Sequence, residues 1–592
     1  MSTELGHTTF SSSTSALRLS ERFSSDRSHE KAGDGSEAPD SSAHSPPSSP
    51  EEKSPSGRQV PKFPPASLLP KVGSHLLPHR LPRIFPSVDF PNQGHGHYSE
   101  FNQIAPVWVC HPFKALYTVF FILVTAFIYL PWQALKNIPR SGRGRPAWSW
   151  TRSMTVLFLR RCISYVCQTH VILTKQPPKT EPKLKHSEFV WLDPAAYLRP
   201  APANDSLGIH ADCRGELLRA MLLQGVRPER ISGYWFFAPG CERHAATPAA
   251  PDESVLYHLH GGAYWMGSAH ESSPNAGMDR KLLARLAACK GAVPGRLFAL
   301  EYRLANHTSP SHGSYPAALL DALVGYLYLT RACGFAPENI VLVGDSSGGN
   351  LALALCRYLR DECVAGMPGA LLLVSPWSDV SRSHSGPVQA PNAFSTTVLN
   401  RGSDILDSSV LYRNTSVCAF LGRLPASEAY VNPYISPVSL HLDRSCGGCP
   451  PHWGFAGFPR RTYIITGSAE LNTEQHVTLA HRLAQGTRRG VPEYVGDRIS
   501  EGLAVEPLIW RDEYPRSQRV ADLHCNADHG AAECVEEEAL EDREVVLDEV
   551  QDGVHVFPLF SWFQPEQQQT IERMARWIAR EPLPAPARAV PV

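Results

Sequence analysis

Ile340-Val341-Leu342-Val343-Gly344-Asp345-Ser346-Ser347-Gly348 decides how this chain is read. Its first half is a strand-like apolar run, and Gly349-Asn350-Leu351-Ala352 behind it opens a helix of small residues. A G-x-S-x-G turn between strand and helix lifts a serine hydroxyl above the edge of a sheet, on a strained backbone. The flanking glycines let backbone segments close in where Cβ atoms would obstruct them. Taken alone the pattern is weak, because glycine-serine turns are common. Its company gives it meaning.

Upstream, at the end of the strand-like Val255–Leu259, stands His260-Gly261-Gly262-Ala263-Tyr264-Trp265. Serine attack on a carbonyl develops negative charge on oxygen, which needs N–H groups already aimed at it. Adjacent glycines bring the backbone close enough to supply them, so Gly261, Gly262, Ala263 and Ser347 are the candidate donors of an oxyanion hole. A base is expected after the last strand, and His555 in Asp552-Gly-Val-His555-Val-Phe557 stands there. It is chosen from 25 histidines by position. The acid is expected one strand earlier, where Gly467-Ser-Ala-Glu470 places Glu470, with Glu474 and Asp552 as the alternatives. A carboxylate there would fix the imidazole tautomer and stabilise the imidazolium. Asp379 follows the wrong strand and reads as a supporting group.

From about residue 230 strands alternate with helices, which predicts an α/β domain with a mainly parallel sheet covered by helices on both faces. The expected strands are Ile231–Phe237, Val255–Leu259, Arg296–Glu301, Ile340–Val343, Ala370–Val374, Thr462–Thr466 and Glu544–Val550. Helices are expected over Pro316–Cys333, over Gly349–Glu362 and after Gln564-Pro565. The run 487–543, with its acidic end, reads as an insertion within a catalytic domain spanning 230–582, and 583–592 as a disordered tail.

The chain has 592 residues, with 56 Lys and Arg against 57 Asp and Glu, and its basic residues are dispersed. Nothing in that balance suggests a nucleic-acid partner. The 14 cysteines lack the spacing of a disulfide scaffold; Cys446-Gly-Gly-Cys449 is a lone pair, and His524-Cys525 with His529 reads as part of the insertion. Residues 1–110 are rich in serine and proline and are expected to be disordered, because they cannot bury enough apolar surface to offset chain entropy. Residues 115–135 are uncharged and long enough for a transmembrane helix that anchors the chain in a lipid bilayer. Residues 136–229 would form a juxtamembrane or cap region, with 153–173 a helix at the membrane face or over the site. Lys136, Arg140, Arg143, Arg145 and Arg152 after the span favour a cytosolic C-terminal part. Glycosylation sequons at Asn204, Asn306 and Asn414 suit a lumenal one. The sequence supports both placements.

Together these residues resemble the hormone-sensitive-lipase group of α/β-hydrolases, the "alpha/beta hydrolase fold-3" esterases that include arylacetamide and steryl acetate deacetylases. The resemblance covers roughly residues 230–580. It is carried by the oxyanion and elbow motifs above, Glu301-Tyr-Arg-Leu-Ala305, Tyr315-Pro-Ala-Ala-Leu-Leu-Asp321, Ser375-Pro-Trp-Ser-Asp379 and His555-Val-Phe557. It implies an α/β-hydrolase fold and a serine carboxylester hydrolase with Ser346, Glu470 and His555 as its triad, requiring no metal or organic cofactor. Small lipophilic esters with short acyl groups, such as steryl acetate, are the implied substrates, and the anchored members are endoplasmic-reticulum proteins. A lipase of long-chain acylglycerols and a non-catalytic binder, like the plant gibberellin receptor in which the triad histidine is lost, are the alternatives. The sequence departs from the group's usual His-Gly-Gly-Gly at Ala263 and from its usual aspartate at Glu470.

Overall fold

The computed structural model describes residues 110–169, 180–202, 208–291, 293–306, 309–386, 392–407, 415–442, 454–485, 487–500 and 542–583. The serine- and proline-rich tail up to residue 109, the Cys446–Cys449 pair, His524 to His529, the sequons at Asn204 and Asn414 and the C-terminal tail from residue 584 lie outside them. So does the part of the Asn306 sequon beyond Asn306 itself.

Apolar residues that point alternately to two buried faces make continuous hydrophobic strands. Leu371 and Leu373 pack on one side with Leu351 and Leu355, while Leu372 and Val374 pack on the other with Leu282 and Met574. The described residues form nine strands, of which the inner ones follow this logic: β1 (Glu188–Leu192), β2 (Ile231–Phe237), β3 (Val255–Leu259), β4 (Arg296–Glu301), β5 (Ile340–Asp345), β6 (Ala370–Val374), β7 (Arg461–Gly467), β8 (Glu493–Gly496) and β9 (Glu544–Val550). They form one sheet in the order β1-β2-β4-β3-β5-β6-β7-β9-β8. β1 and β2, and β2 and β4, pair antiparallel. Every other pairing is parallel. Helices Ala317–Leu327 and Ser347–Glu362 cover one face, and Pro274–Leu286 and Glu566–Ile578 the other. This is the α/β-hydrolase fold.

Two strands correct the sequence reading. β1 lies in the stretch expected to be juxtamembrane or cap, so the sheet begins before residue 230. β8 lies inside the expected 487–543 insertion and pairs with β9 as an edge strand. Both are short and at an edge, so their pattern is too brief to separate from loop.

The helix before the domain runs from Phe113 to Lys136, slightly beyond the expected 115–135, and is long and apolar enough to cross a membrane. Its 24 residues reach ~36 Å at about 1.5 Å per residue. Leu116, Val119, Phe120, Phe127 and Ile128 are exposed. The opposite side packs on the helix Trp150–Thr169, where Tyr117 Oη donates to Gln168 Oε1 at 2.7 Å and the Arg161 guanidinium lies 4.3 Å from the centre of the Phe121 ring. That second helix, expected over 153–173, straps onto the domain. Arg152 pairs with Glu566 at 2.8 Å and Ser164 Oγ donates to Asp407 at 3.0 Å.

The first turn of helix Ser347–Glu362 passes so close to the end of β3 that a Cβ on Gly348 would run into the Leu259 and His260 carbonyls. Gly348→Ala is therefore expected to cost about 1–3 kcal/mol through overpacking. A urea titration checks this: the midpoint should fall at unchanged slope, and an unchanged midpoint would mean the helix can yield there.

Candidate active site

β5 ends at Asp345 and the helix starts at Ser347, so the whole reversal falls on Ser346. Its φ of 50° and ψ of −119° lie where side chains are seldom found, a strain of order 1–3 kcal/mol. The surroundings hold it there. Ser346 N–H donates to the Val374 carbonyl at 2.9 Å, and its own carbonyl accepts from Trp377 N–H at 2.8 Å. A Cβ on Gly344 would run into the Gly348 carbonyl, which explains the paired glycines.

The loops after β7 and β9 come together beside this turn because Gly467 and Gly553 leave no room between their backbones. Ala469 N–H donates to the Gly553 carbonyl at 3.0 Å across that contact. His555 Nε2 thereby lies 2.9 Å from Ser346 Oγ, and His555 Nδ1 lies 3.1 Å from Glu470 Oε2. The other carboxylate oxygen of Glu470 accepts from Ser375 Oγ at 2.8 Å and from Gly467 N–H at 2.6 Å. A carboxylate only accepts, so Nδ1 carries the proton and Nε2 is left to accept from the serine hydroxyl. The alternative acids are bonded elsewhere. Glu474 takes Ser395 and Thr396, and Asp552 faces Arg145. Asp379 is bonded to Ser381 and Ser383.

Burial alone would lower the pKa of His555. The hydrogen bond and charge of Glu470, with further negative charge from Asp404 and Asp345, outweigh it and hold the imidazole above its ordinary value. Asp404 is fully buried; its carboxylate accepts from the backbone N–H groups of His555 at 2.9 Å and Leu471 at 2.8 Å. It thus clips the base loop to the acid loop.

The four candidate donors do not all survive. Gly261 N–H is already given to Asp345 Oδ1 at 2.9 Å, which removes it from the set. Gly262 and Ala263 N–H have no protein acceptor among the described residues. Ser347 begins its helix, where an N–H has no intrahelical partner. Gly262 and Ala263 have φ of 123° and 54°, so the loop doubles back to present consecutive N–H groups.

The same Asp345 oxygen also accepts from Asn275 Nδ2 at 2.5 Å and faces His258 Nε2 at 3.1 Å, whose Nδ1 faces Asp279 at 2.9 Å. Burial would depress His258, yet Asp279 and Asp345 raise it to about 10. The Glu301-Tyr-Arg motif props the loop from the far side. Tyr302 Oη donates to the His260 carbonyl at 2.6 Å and Arg303 locks onto Asp321 at 2.7 Å. Among the described residues no group of three or more His, Cys, Asp or Glu is placed to hold a metal ion.

Sequence reasoning missed Asp404, Ser375 and Asp345 as partners of the site. Asp345 and Ser375 stood inside quoted motifs without a role; Asp404 lies in a stretch with no periodic signal.

A family model agrees with this architecture. The family described as alpha/beta hydrolase fold matches residues 256–496. An acetyl-hydrolase of Streptomyces hygroscopicus is 34% identical over 141 residues, which is 24% of this chain and 42% of that protein. An esterase of Acinetobacter venetianus is 32% identical over 156 residues, 26% of this chain and 44% of that protein. Steryl acetyl hydrolase 1 of Saccharomyces cerevisiae is 26% identical over 134 residues, 23% of this chain and 29% of that protein. The chain spans less than half the length of each of these relatives. A crystal structure of an esterase from the bacterial hormone-sensitive lipase family is 20% identical with a TM-score of 0.41, covering 74% of this chain and 99% of that one.

The raised His555 pKa is directly measurable. NMR titration of the His555 ring is expected to give a midpoint above the ordinary ~6.5, and Glu470→Gln should bring it down, because the largest favourable partner of the imidazolium is lost. A midpoint that does not fall in that variant would assign the shift to Asp404 and Asp345.

Proposed function

On an α/β-hydrolase fold of the hormone-sensitive-lipase type, we propose that this chain is a serine carboxylester hydrolase. The observation that carries the reading is the unbroken chain of hydrogen bonds from Ser346 through His555 to Glu470, set beside unpaired N–H groups. Ser346 Oγ attacks the ester carbonyl while its proton passes to His555 Nε2. The oxygen that becomes negative is received by N–H groups of Gly262, Ala263 and Ser347, each worth about 3 kcal/mol to the transition state. Collapse of the intermediate expels the alcohol, which takes the proton back from His555 and leaves an acyl group on Ser346. Water, deprotonated by the same imidazole, then releases the acid. Glu470 stays ionised throughout and holds the ring.

Short-acyl lipophilic esters, steryl acetate among them, are the substrates we assign. Relatives named acetyl-hydrolase and steryl acetyl hydrolase support that choice, and so does an apolar helix that would hold the site near a lipid pool. The same helix supports a single-pass anchor, and the endoplasmic reticulum is assigned from the resemblance to anchored deacetylases. A base hydrogen-bonded to the serine speaks against a non-catalytic binder on this fold.

Purified enzyme assayed on esters of increasing acyl length is expected to show highest kcat/KM on acetyl and other short chains. Ser346→Ala should lose ~10³-fold or more in kcat. Equal hydrolysis by both would sink the enzyme reading, and a maximum at long chains would make it a lipase. Glycosidase treatment of the cellular protein reads topology: a mobility shift is the outcome for a lumenal domain, and none for a cytosolic one.

A further inference from the structure

We propose that Arg145, in the segment between the apolar helix and the domain, is a positioning residue for Glu470 and His555. The inference rests on the ester-hydrolase reading and adds a residue that no catalytic motif contains. Arg145 Nη2 donates to Asn400 Oδ1 at 2.6 Å and to the Ser468 carbonyl at 2.7 Å. Asn400 Nδ2 in turn donates to the Ser468 carbonyl at 2.9 Å and to the carbonyl of Glu470 itself at 2.6 Å. The backbone of the acid is therefore held by an amide whose orientation is set from outside.

Arg145 is what anchors the oxygen end of that amide. An asparagine amide can turn over, exchanging its accepting oxygen for its donating nitrogen, and only its neighbours decide which end faces where. A guanidinium has donors and no acceptor, so of the two ends of the amide only Oδ1 can face it. With Arg145 in place Nδ2 must face Glu470. The Ser468 and Glu470 carbonyls call for the same end, so loss of Arg145 does not turn the amide over; it takes a donor from Oδ1 and one of two donors from the Ser468 carbonyl, and Asn400 is left to shift with the Glu470 loop. The Glu470–His555 contact at 3.1 Å has little slack to absorb such a movement.

The same short segment holds the base loop. Arg145 Nε lies 3.6 Å from Asp552 Oδ1, and Trp148 Nε1 donates to the Asp552 carbonyl at 3.1 Å. Asp552 has a φ of 56°, a left-handed conformation that needs outside support in a non-glycine residue. At that separation and partial exposure the ion pair contributes little. The two charge-assisted hydrogen bonds to Asn400 and Ser468 are the stronger contacts.

The test compares Arg145→Met, Arg145→Lys and Asn400→Asp in the full-length, detergent-solubilised chain. A fluorophosphonate probe counts reactive serines, and turnover of a short acyl ester is expressed per reactive serine. Arg145→Met and Asn400→Asp are expected to lower kcat ~10- to 100-fold, the range for a displaced catalytic group, with KM within twofold. The aspartate keeps the asparagine's shape but cannot donate to either carbonyl. Arg145→Lys, still a donor-only cation, should recover most of the loss. A merely structural role would reduce the number of reactive serines and leave turnover per serine unchanged; turnover per serine within twofold of wild type in both Arg145→Met and Asn400→Asp overturns the inference. A wild-type chain that neither takes the probe nor hydrolyses ester overturns the hydrolase reading first, and the inference with it.

Discussion

One carboxylate oxygen, Asp345 Oδ1, gathers the Gly261 N–H, the Asn275 amide and the His258 ring onto the last residue of β5. The nucleophile turn and the loop that faces it are thereby a single piece. A negative charge buried this deeply is tolerable only when fully partnered, and here three donors surround it. The next residue in the chain is the strained serine. Its unusual backbone persists because the carboxylate before it and the helix after it are both immobilised.

The second constraint is contact between backbones at the carboxyl ends of β7 and β9. Parallel strands deliver their loops to one edge of the sheet, which is where ligands bind in open α/β folds. Glycines at 467 and 553 let two of those loops touch. Acid and base are then separated by a hydrogen bond although far apart in sequence, and Asp404 ties the two loops through their N–H groups. The extra methylene of Glu470 relative to aspartate is accommodated because Ser375 and Gly467 hold its second oxygen.

What the sequence disclosed follows from how local each signal is. Ser346 and the His260-Gly-Gly-Ala loop are short motifs beside strongly apolar strands, and seven strands were legible from their runs alone. Strand order points to Glu470 and His555, and the topology brings both beside Ser346. β1 and β8 were missed because four or five residues at a sheet edge carry no distinctive period. Gly261 was counted as a donor because its competing acceptor, Asp345, is brought near only by the parallel pairing of β3 and β5. Asp404, Asn400 and Arg145 are invisible for the same reason: their partners are close in space alone.

The strap helix Trp150–Thr169 is made early and finds its partners late. Arg152 is matched by Glu566, Arg160 by the carbonyl of Asp404 and Ser164 by Asp407. During synthesis from the N-terminus these side chains leave the ribosome well before any of their acceptors exist. Closing such large loops is slow and comes after local structure has formed. The strap therefore lacks its full seat until the last helix, Glu566–Ile578, has been made.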